Sequence, residues 1–215
     1  MDTLMHAGAG LLAMLVAYGL GSLSFAVLIT RWMGMADPRT YGSQNPGATN
    51  VLRSGNKKAA VLTLLADALK GAVAVWLARA LVEQAVMGEA WVAWVGAAAF
   101  FGHLYPVFFG FKGGKGVATA IGVILAFQPL LGLATLASFA VILYFSRYVS
   151  LASVVAAAFA PFYLLFANGV AWREPDAAVV ALFVMAAWLI WRHRENINRL
   201  LKGTESKLGQ RKASH

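Results

Sequence analysis

Residues Gly110-Phe-Lys-Gly-Gly-Lys-Gly-Val-Ala-Thr119 set four glycines and two lysines between two apolar runs. Glycine lets the backbone bend freely and brings N–H groups close to a ligand. Consecutive backbone N–H groups form an anion-binding concavity, to which Lys112 and Lys115 add point charges. A helix opening near Val117 would aim its positive dipole end at the same place. Phosphate or carboxylate binding is the chemistry this composition allows, with Lys112, Gly113, Gly114, Lys115 and Gly116 as candidate binders. The plainer alternative is a flexible basic loop between two spans. The stretch is not a Walker A motif, which needs four residues between its glycines and Ser or Thr after the lysine. Three residues separate Gly110 from Gly114, and Gly116 follows Lys115.

Two more polar stretches have the residue types for the same work. The first runs from Tyr41 to Gly55. Asn45-Pro46 reads as an N-cap and first-turn pair, and Gly55 as a stop, predicting a short helix over 46–54. Its free N–H groups would lie near Ser43 and Asn45, and Thr49, Asn50 and Arg53 would share a face. The second runs from Arg192 to Glu205. His193 and Asn196 fall three apart, Glu195 and Arg199 make an i,i+4 pair, and Ile197, Leu200 and Leu201 form an interfacial stripe before Gly203. Either stretch alone also reads blandly, as a capped surface helix and as a basic stop at a membrane. Asp67 and Lys70, three apart within an apolar run, read as a structural ion pair. His103 reads as a satisfied interfacial histidine that can face the glycine loop.

The elements that must position these groups are membrane helices. The chain has 215 residues, 60% hydrophobic and 13% charged, a mean hydropathy of +0.68 and no cysteine. Soluble domains carry about 25% charged residues. Apolar runs of 18 or more residues recur, predicting an all-α polytopic membrane protein rather than a β-barrel. Disulfides, thiolate metal sites and cysteine nucleophiles are excluded. The net charge of +9 does not imply a nucleic-acid partner, because in a membrane protein the distribution of Lys and Arg matters more. The first run reads as a span rather than a leader: it holds Asp2, no Lys or Arg before Arg31, and is too long.

Spans are predicted over roughly 4–32, 58–82, 90–109, 150–168 and 175–194, with 117–146 broken at Gln128-Pro129. Segments 31–58, 110–116, 147 and 192–212 hold fifteen of the eighteen Lys and Arg residues. The positive-inside rule puts them in the cytoplasm and the N-terminus outside. The basic tail then stays cytoplasmic only if 117–146 crosses twice or enters and returns. The expectation is seven helices, one of them short, in a single domain over 1–205 with a disordered basic tail over 206–215.

Taken together and in this order, these stretches resemble the bacterial acyl-phosphate-dependent glycerol-3-phosphate acyltransferases. The match covers Gly21-Ser22 with Phe25, Tyr41 to Arg53, Leu64 to Gly71, Gly102 to Thr119 and Arg192 to Glu205. Ser24 departs from the family pattern, where proline is expected. The resemblance implies an enzyme of the bacterial inner membrane with its active site on the cytoplasmic face. It would move a fatty acyl group from acyl phosphate to the 1-hydroxyl of glycerol 3-phosphate, giving lysophosphatidate and phosphate. Ser43, His193 and Asn196 match positions tied to activity. Asn45, Thr49, Asn50, Arg53, His103, the Lys112–Gly116 loop and Glu205 fall to substrate binding. Acyl phosphate is already a mixed anhydride, so no metal or cofactor is expected. No His here is followed five residues later by Asp, which disfavours an acyl-CoA or carrier-protein donor. The alternative function is a membrane transporter for a small organic phosphate or anion.

Overall fold

The computed structural model describes residues 2–210, and those residues are helical with no strand ladder. The first apolar run is two helices, α1 (Asp2–Gly21) and α2 (Phe25–Trp32), broken at Ser22–Ser24. Leu4–Trp32 still counts as the one span expected, but the break inside it was not, since nothing in the apolar pattern interrupts there. The break is held from outside: the Lys70 ammonium donates to the Leu23 carbonyl at 2.7 Å, supplying the partner that a lost helical bond leaves wanting.

A short helix, α3 (Ala48–Leu52), leads into α4 (Lys57–Glu83). Asn56 caps α4, its side chain accepting the Ala59 N–H at 3.0 Å. At 27 residues α4 reaches ~40 Å, enough to cross a bilayer with some tilt. Next come α5 (Ala90–Leu104), a 3-10 turn at Val107–Phe109 and the glycine loop.

The broken segment becomes α6 (Val117–Phe127) and α7 (Pro129–Ser146), with Gln128 extended between them and Pro129 opening α7. The 11 residues of α6 span only ~17 Å. Then follow α8 (Val149–Ala167), α9 (Asp176–Arg192) and α10 (Arg194–Leu201), the last two meeting at a 56° bend. Among the described residues five stretches are long and apolar enough to cross a membrane, a sixth if the bent pair counts as one, and α6 is the short apolar helix beside them.

Small residues set the closest crossings. A Cβ on Gly122 of α6 would lie 1.9 Å from the Ala68 carbonyl oxygen of α4, and one on Gly71 of α4 would lie 2.5 Å from the Thr119 oxygen. Helix α6 is therefore seated backbone-to-backbone against α4, the small-residue packing that lipid surroundings favour. Its C-terminal carbonyl, at Phe127, accepts from the Arg79 guanidinium, and its N-terminus follows directly on the glycine loop at Gly116. Helices α1 and α5 approach the same way, Gly21 against Ala99 and Gly102 against Tyr18. The buried core, with Phe100, Leu104, Val75, Leu131 and Leu164, lies among these helices, while Leu11, Leu15, Trp76, Phe145 and Phe166 point outward.

The tail expected over 206–215 is described only to Gln210. Residues 206–210 turn back so that the Leu208 N–H donates to the Arg147 carbonyl at 2.7 Å and Lys207 sits over the Tyr148 ring. The rest of that tail lies outside the described residues.

Candidate active site

The glycine loop is where three distant stretches of chain meet. Behind it, the Gly114 N–H donates to the His103 carbonyl at 3.1 Å. A Cβ on Gly114 would lie 2.2 Å from Nε2 of the His103 ring and 3.0 Å from the Pro46 carbonyl oxygen. Only glycine admits the imidazole and the 41–55 loop this close. From the other side Arg192 donates Nη2 to the Gly113 carbonyl at 2.9 Å and to the Gly114 carbonyl at 3.0 Å, with its ring-facing charge over Tyr105. Both carbonyls are thus held by one guanidinium. Gly116 takes a left-handed φ of +83° against the Phe100 ring and caps α6. Arg192 carries no signal of this role in the sequence, because no spacing rule links 192 to 113.

Lys115 points to the third stretch. Its ammonium donates to Oδ1 of Asn196, whose Nδ2 donates to Oε1 of Glu205 at 2.6 Å. The same carboxylate accepts from Ser150 Oγ at 2.6 Å and from Arg199 Nε at 2.7 Å. Burial lowers the Lys115 ammonium to about 8, with the nearby Arg199 charge adding to the effect and Glu205 opposing it. For Glu205, burial works upward but the Ser150, Asn196 and Arg199 bonds outweigh it and hold the carboxyl below its usual range. Glu205 is thus linked to Lys115 through Asn196. Arg199 pairs with Glu205 in place of the expected Glu195, because the turn at Gly203 (φ +67°) folds the chain back over α10.

His193 is the C-cap of α9 and the N-cap of α10, three residues before Asn196, which is also buried. It sits at the bend between α9 and α10, buried, with Nδ1 2.8 Å from the Leu189 carbonyl. A carbonyl only accepts, so Nδ1 carries the proton and Nε2 of the neutral ring presents a lone pair.

In the first stretch the helix is shorter than expected and Gly47, not Asn45, is its N-cap. Asn50 explains this. Buried, it accepts the Ser43 N–H at 2.9 Å and donates to the Pro38 and Tyr41 carbonyls at 2.6 and 3.1 Å. Those bonds wind residues 38–47 into a loop, and helix begins only after it. Asn50 therefore builds the loop, while Thr49 and Arg53 are exposed and Ser43 is exposed with its N–H anchored. Asn45 is half-buried beside Gly47, and Lys112 is exposed. The structure brings His103, Gly113, Gly114, Lys115 and Asn196 into one connected cluster, with Pro46 joining the 41–55 loop to it. Among the described residues there is no group of His, Asp and Glu arranged to hold a metal ion.

The arrangement is that of a helical membrane protein in which a glycine-lined loop carrying Lys112 and Lys115 joins three distant stretches of the chain. The family model for glycerol-3-phosphate acyltransferase matches residues 11–203, and the chain belongs to that family. Glycerol-3-phosphate acyltransferase of Burkholderia orbicola (strain MC0-3) is 58% identical over 203 residues, covering 94% of both chains. That of Albidiferax ferrireducens is 57% identical over 201 residues, 94% of this chain and 90% of its own. Two crystal structures of PlsY (YgiH), an integral membrane glycerol 3-phosphate acyltransferase, share the fold. The glycerol 3-phosphate form matches with a TM-score of 0.84 at 42% identity, covering 93% of this chain and 96% of that one. The lysophosphatidic acid form matches with a TM-score of 0.82 at 40% identity, covering 93% and 95%.

Proposed function

We propose that this protein transfers a fatty acyl group from acyl phosphate to the 1-hydroxyl of glycerol 3-phosphate, at the cytoplasmic face of the bacterial inner membrane. The observation that carries this is the convergence of the glycine loop, Lys115, Arg192 and the 41–55 loop at one place. Two phosphates beside a low-dielectric medium need several cations and N–H donors, since an uncompensated charge there is very costly. Arg53 and Lys112, both exposed, meet the phosphates; Lys115 is held ready by Asn196, itself bonded to Glu205. Behind the loop, Val117, Ile121, Phe139, Ala157 and Leu189 line an apolar cleft among α6 to α9. The Thr135 and Ser153 hydroxyls in its wall donate to their own helix carbonyls, so the cleft offers an acyl chain no polar contact.

The reaction is direct attack. The glycerol oxygen adds to the acyl carbonyl carbon, the tetrahedral oxyanion is held by loop N–H groups and Ser43, and the C–O bond to phosphate breaks. The hydroxyl proton passes to His193 Nε2 or to a substrate phosphate oxygen and leaves with inorganic phosphate. Neither metal nor cofactor takes part. The basic loops face the cytoplasm and α1 begins outside.

Purified protein in detergent, given glycerol 3-phosphate with palmitoyl phosphate, palmitoyl-CoA or palmitoyl-carrier protein, tests this by mass spectrometry. Lysophosphatidate is expected from palmitoyl phosphate alone, and is lost in Arg53→Ala. Product from either thioester, or none from any donor with folded protein, would overturn the reading.

A further inference from the structure

The buried pair Asp67–Lys70 has no place in the reaction above, yet it is built into the wall behind the glycine loop. Both side chains come from α4, inside the membrane-spanning region, where an ionic pair needs a reason. The Lys70 ammonium lies 2.8 Å from Asp67 Oδ1, 2.7 Å from the Leu23 carbonyl and 3.0 Å from Nδ1 of His103. The carboxylate pairs with the ammonium's charge, and the other two contacts are hydrogen bonds. Asp67 is also 3.4 Å from His103 Nδ1, too long for a charge-assisted hydrogen bond. The shorter contact decides the arrangement.

An ammonium has only hydrogens to give. Nδ1 of His103 must therefore be the acceptor, and a neutral imidazole that accepts at Nδ1 carries its proton on Nε2. That Nε2 is the atom standing against Gly114, and among the described residues it has no hydrogen-bond partner. His193 has the opposite form, with its Nδ1 proton given to Leu189. Two histidines in one site thus present a donor and an acceptor, fixed by what each touches behind.

We propose that Asp67 and Lys70 are positioning residues that lock His103 as a neutral Nε2–H donor to the phosphate or oxyanion at the glycine loop. In this role His103 never takes a proton, so the base is to be sought elsewhere. The inference rests on the acyl-transfer reading for its ligand, but the lock itself does not.

The first test is NMR of the wild-type protein with 15N-labelled histidine, His103 being assigned by its absence in His103→Gln. Between pH 6 and 8 the expected signature is an unprotonated Nδ1 and a protonated Nε2, unchanged with pH. A proton on Nδ1, or a titrating imidazolium, would overturn the lock whether or not the enzyme transfers acyl groups. The second test is kinetic. His103→Gln keeps an N–H donor and an acceptor for Lys70 but cannot titrate. It is expected to keep kcat within about tenfold, whereas His103→Leu loses ~10²-fold or more, as removal of an oxyanion donor does. Equal loss in both would assign His103 as a base and sink the proposal. Lys70→Met, checked for its folded state by thermal unfolding, should admit the Nδ1–H form and lower kcat. A folded Lys70→Met protein with an unchanged His103 tautomer would remove Lys70 from the role. If wild-type protein makes no lysophosphatidate, the function fails while the tautomer result stands.

Discussion

Lys115 meets opposing demands: its carrier loop is buried against the membrane helices, and its task needs a charge. Burial holds its ammonium at about 8, so it is charged below that pH and discharged above it. Affinity for the phosphate it holds is therefore fully present near pH 7 and declines through 8. The KM of that substrate is predicted to rise about tenfold between pH 7 and pH 9. Lys115→Arg, which stays charged, should flatten the profile. Glu205 pulls the Lys115 value up, so Glu205→Gln is expected to move the midpoint to lower pH while preserving most of the Ser150 and Asn196 geometry. Titrating KM in the three proteins checks both. Lys112, exposed on the same loop, should also raise KM when replaced by Ala. Equal and mild effects at Lys112 and Lys115 would remove the loop from phosphate binding. These side chains were legible in the sequence because Gly, Lys, Asn and His are out of place between apolar runs. Their partners were not. Arg192 reaches Gly113 across 79 residues and Glu205 takes Arg199 through a turn, contacts that no local spacing encodes.

Helix α6 is the element whose placement matters most, since its N-terminus opens directly from the glycine loop. Its seat is Gly122 against the Ala68 carbonyl, where an added methyl meets rigid backbone. Gly122→Ala is predicted to cost ~1–3 kcal/mol and to lower the unfolding temperature in detergent, as overpacking does. Gly8→Ala, on α1 with nothing within 4 Å, should leave that temperature unchanged or raise it. Matching shifts in the two variants would mean the crossing is not tight. The long helices and the break at Pro129 could be read from apolar runs and one proline. The break at Ser22–Ser24 could not, because the residues stay apolar or small and the partner of the freed carbonyl comes from Lys70 on another helix. Likewise the start of α3 was misplaced because Asn50 spends its side chain on the preceding loop instead of leaving Asn45 to cap.

Across the whole molecule, the three polar stretches, two of them carrying the short helices α3 and α10, meet at one end of the bundle. The proposed orientation places that end in the cytoplasm. The chain has no cysteine, so single cysteines report cleanly. Lys202→Cys is expected to react with a membrane-impermeant thiol reagent only in inside-out vesicles, and Ala171→Cys only in intact spheroplasts. The reverse pattern would invert the topology. The central claim is that one site holds both phosphates at once and passes the acyl group directly between them. An initial-rate matrix over acyl phosphate and glycerol 3-phosphate tests it most directly, read with radiolabelled acyl donor. Direct transfer predicts intersecting double-reciprocal lines and no label retained on the protein when glycerol 3-phosphate is withheld. Parallel lines with acyl label recovered on Ser43 would show a two-step acyl-enzyme route and contradict the account.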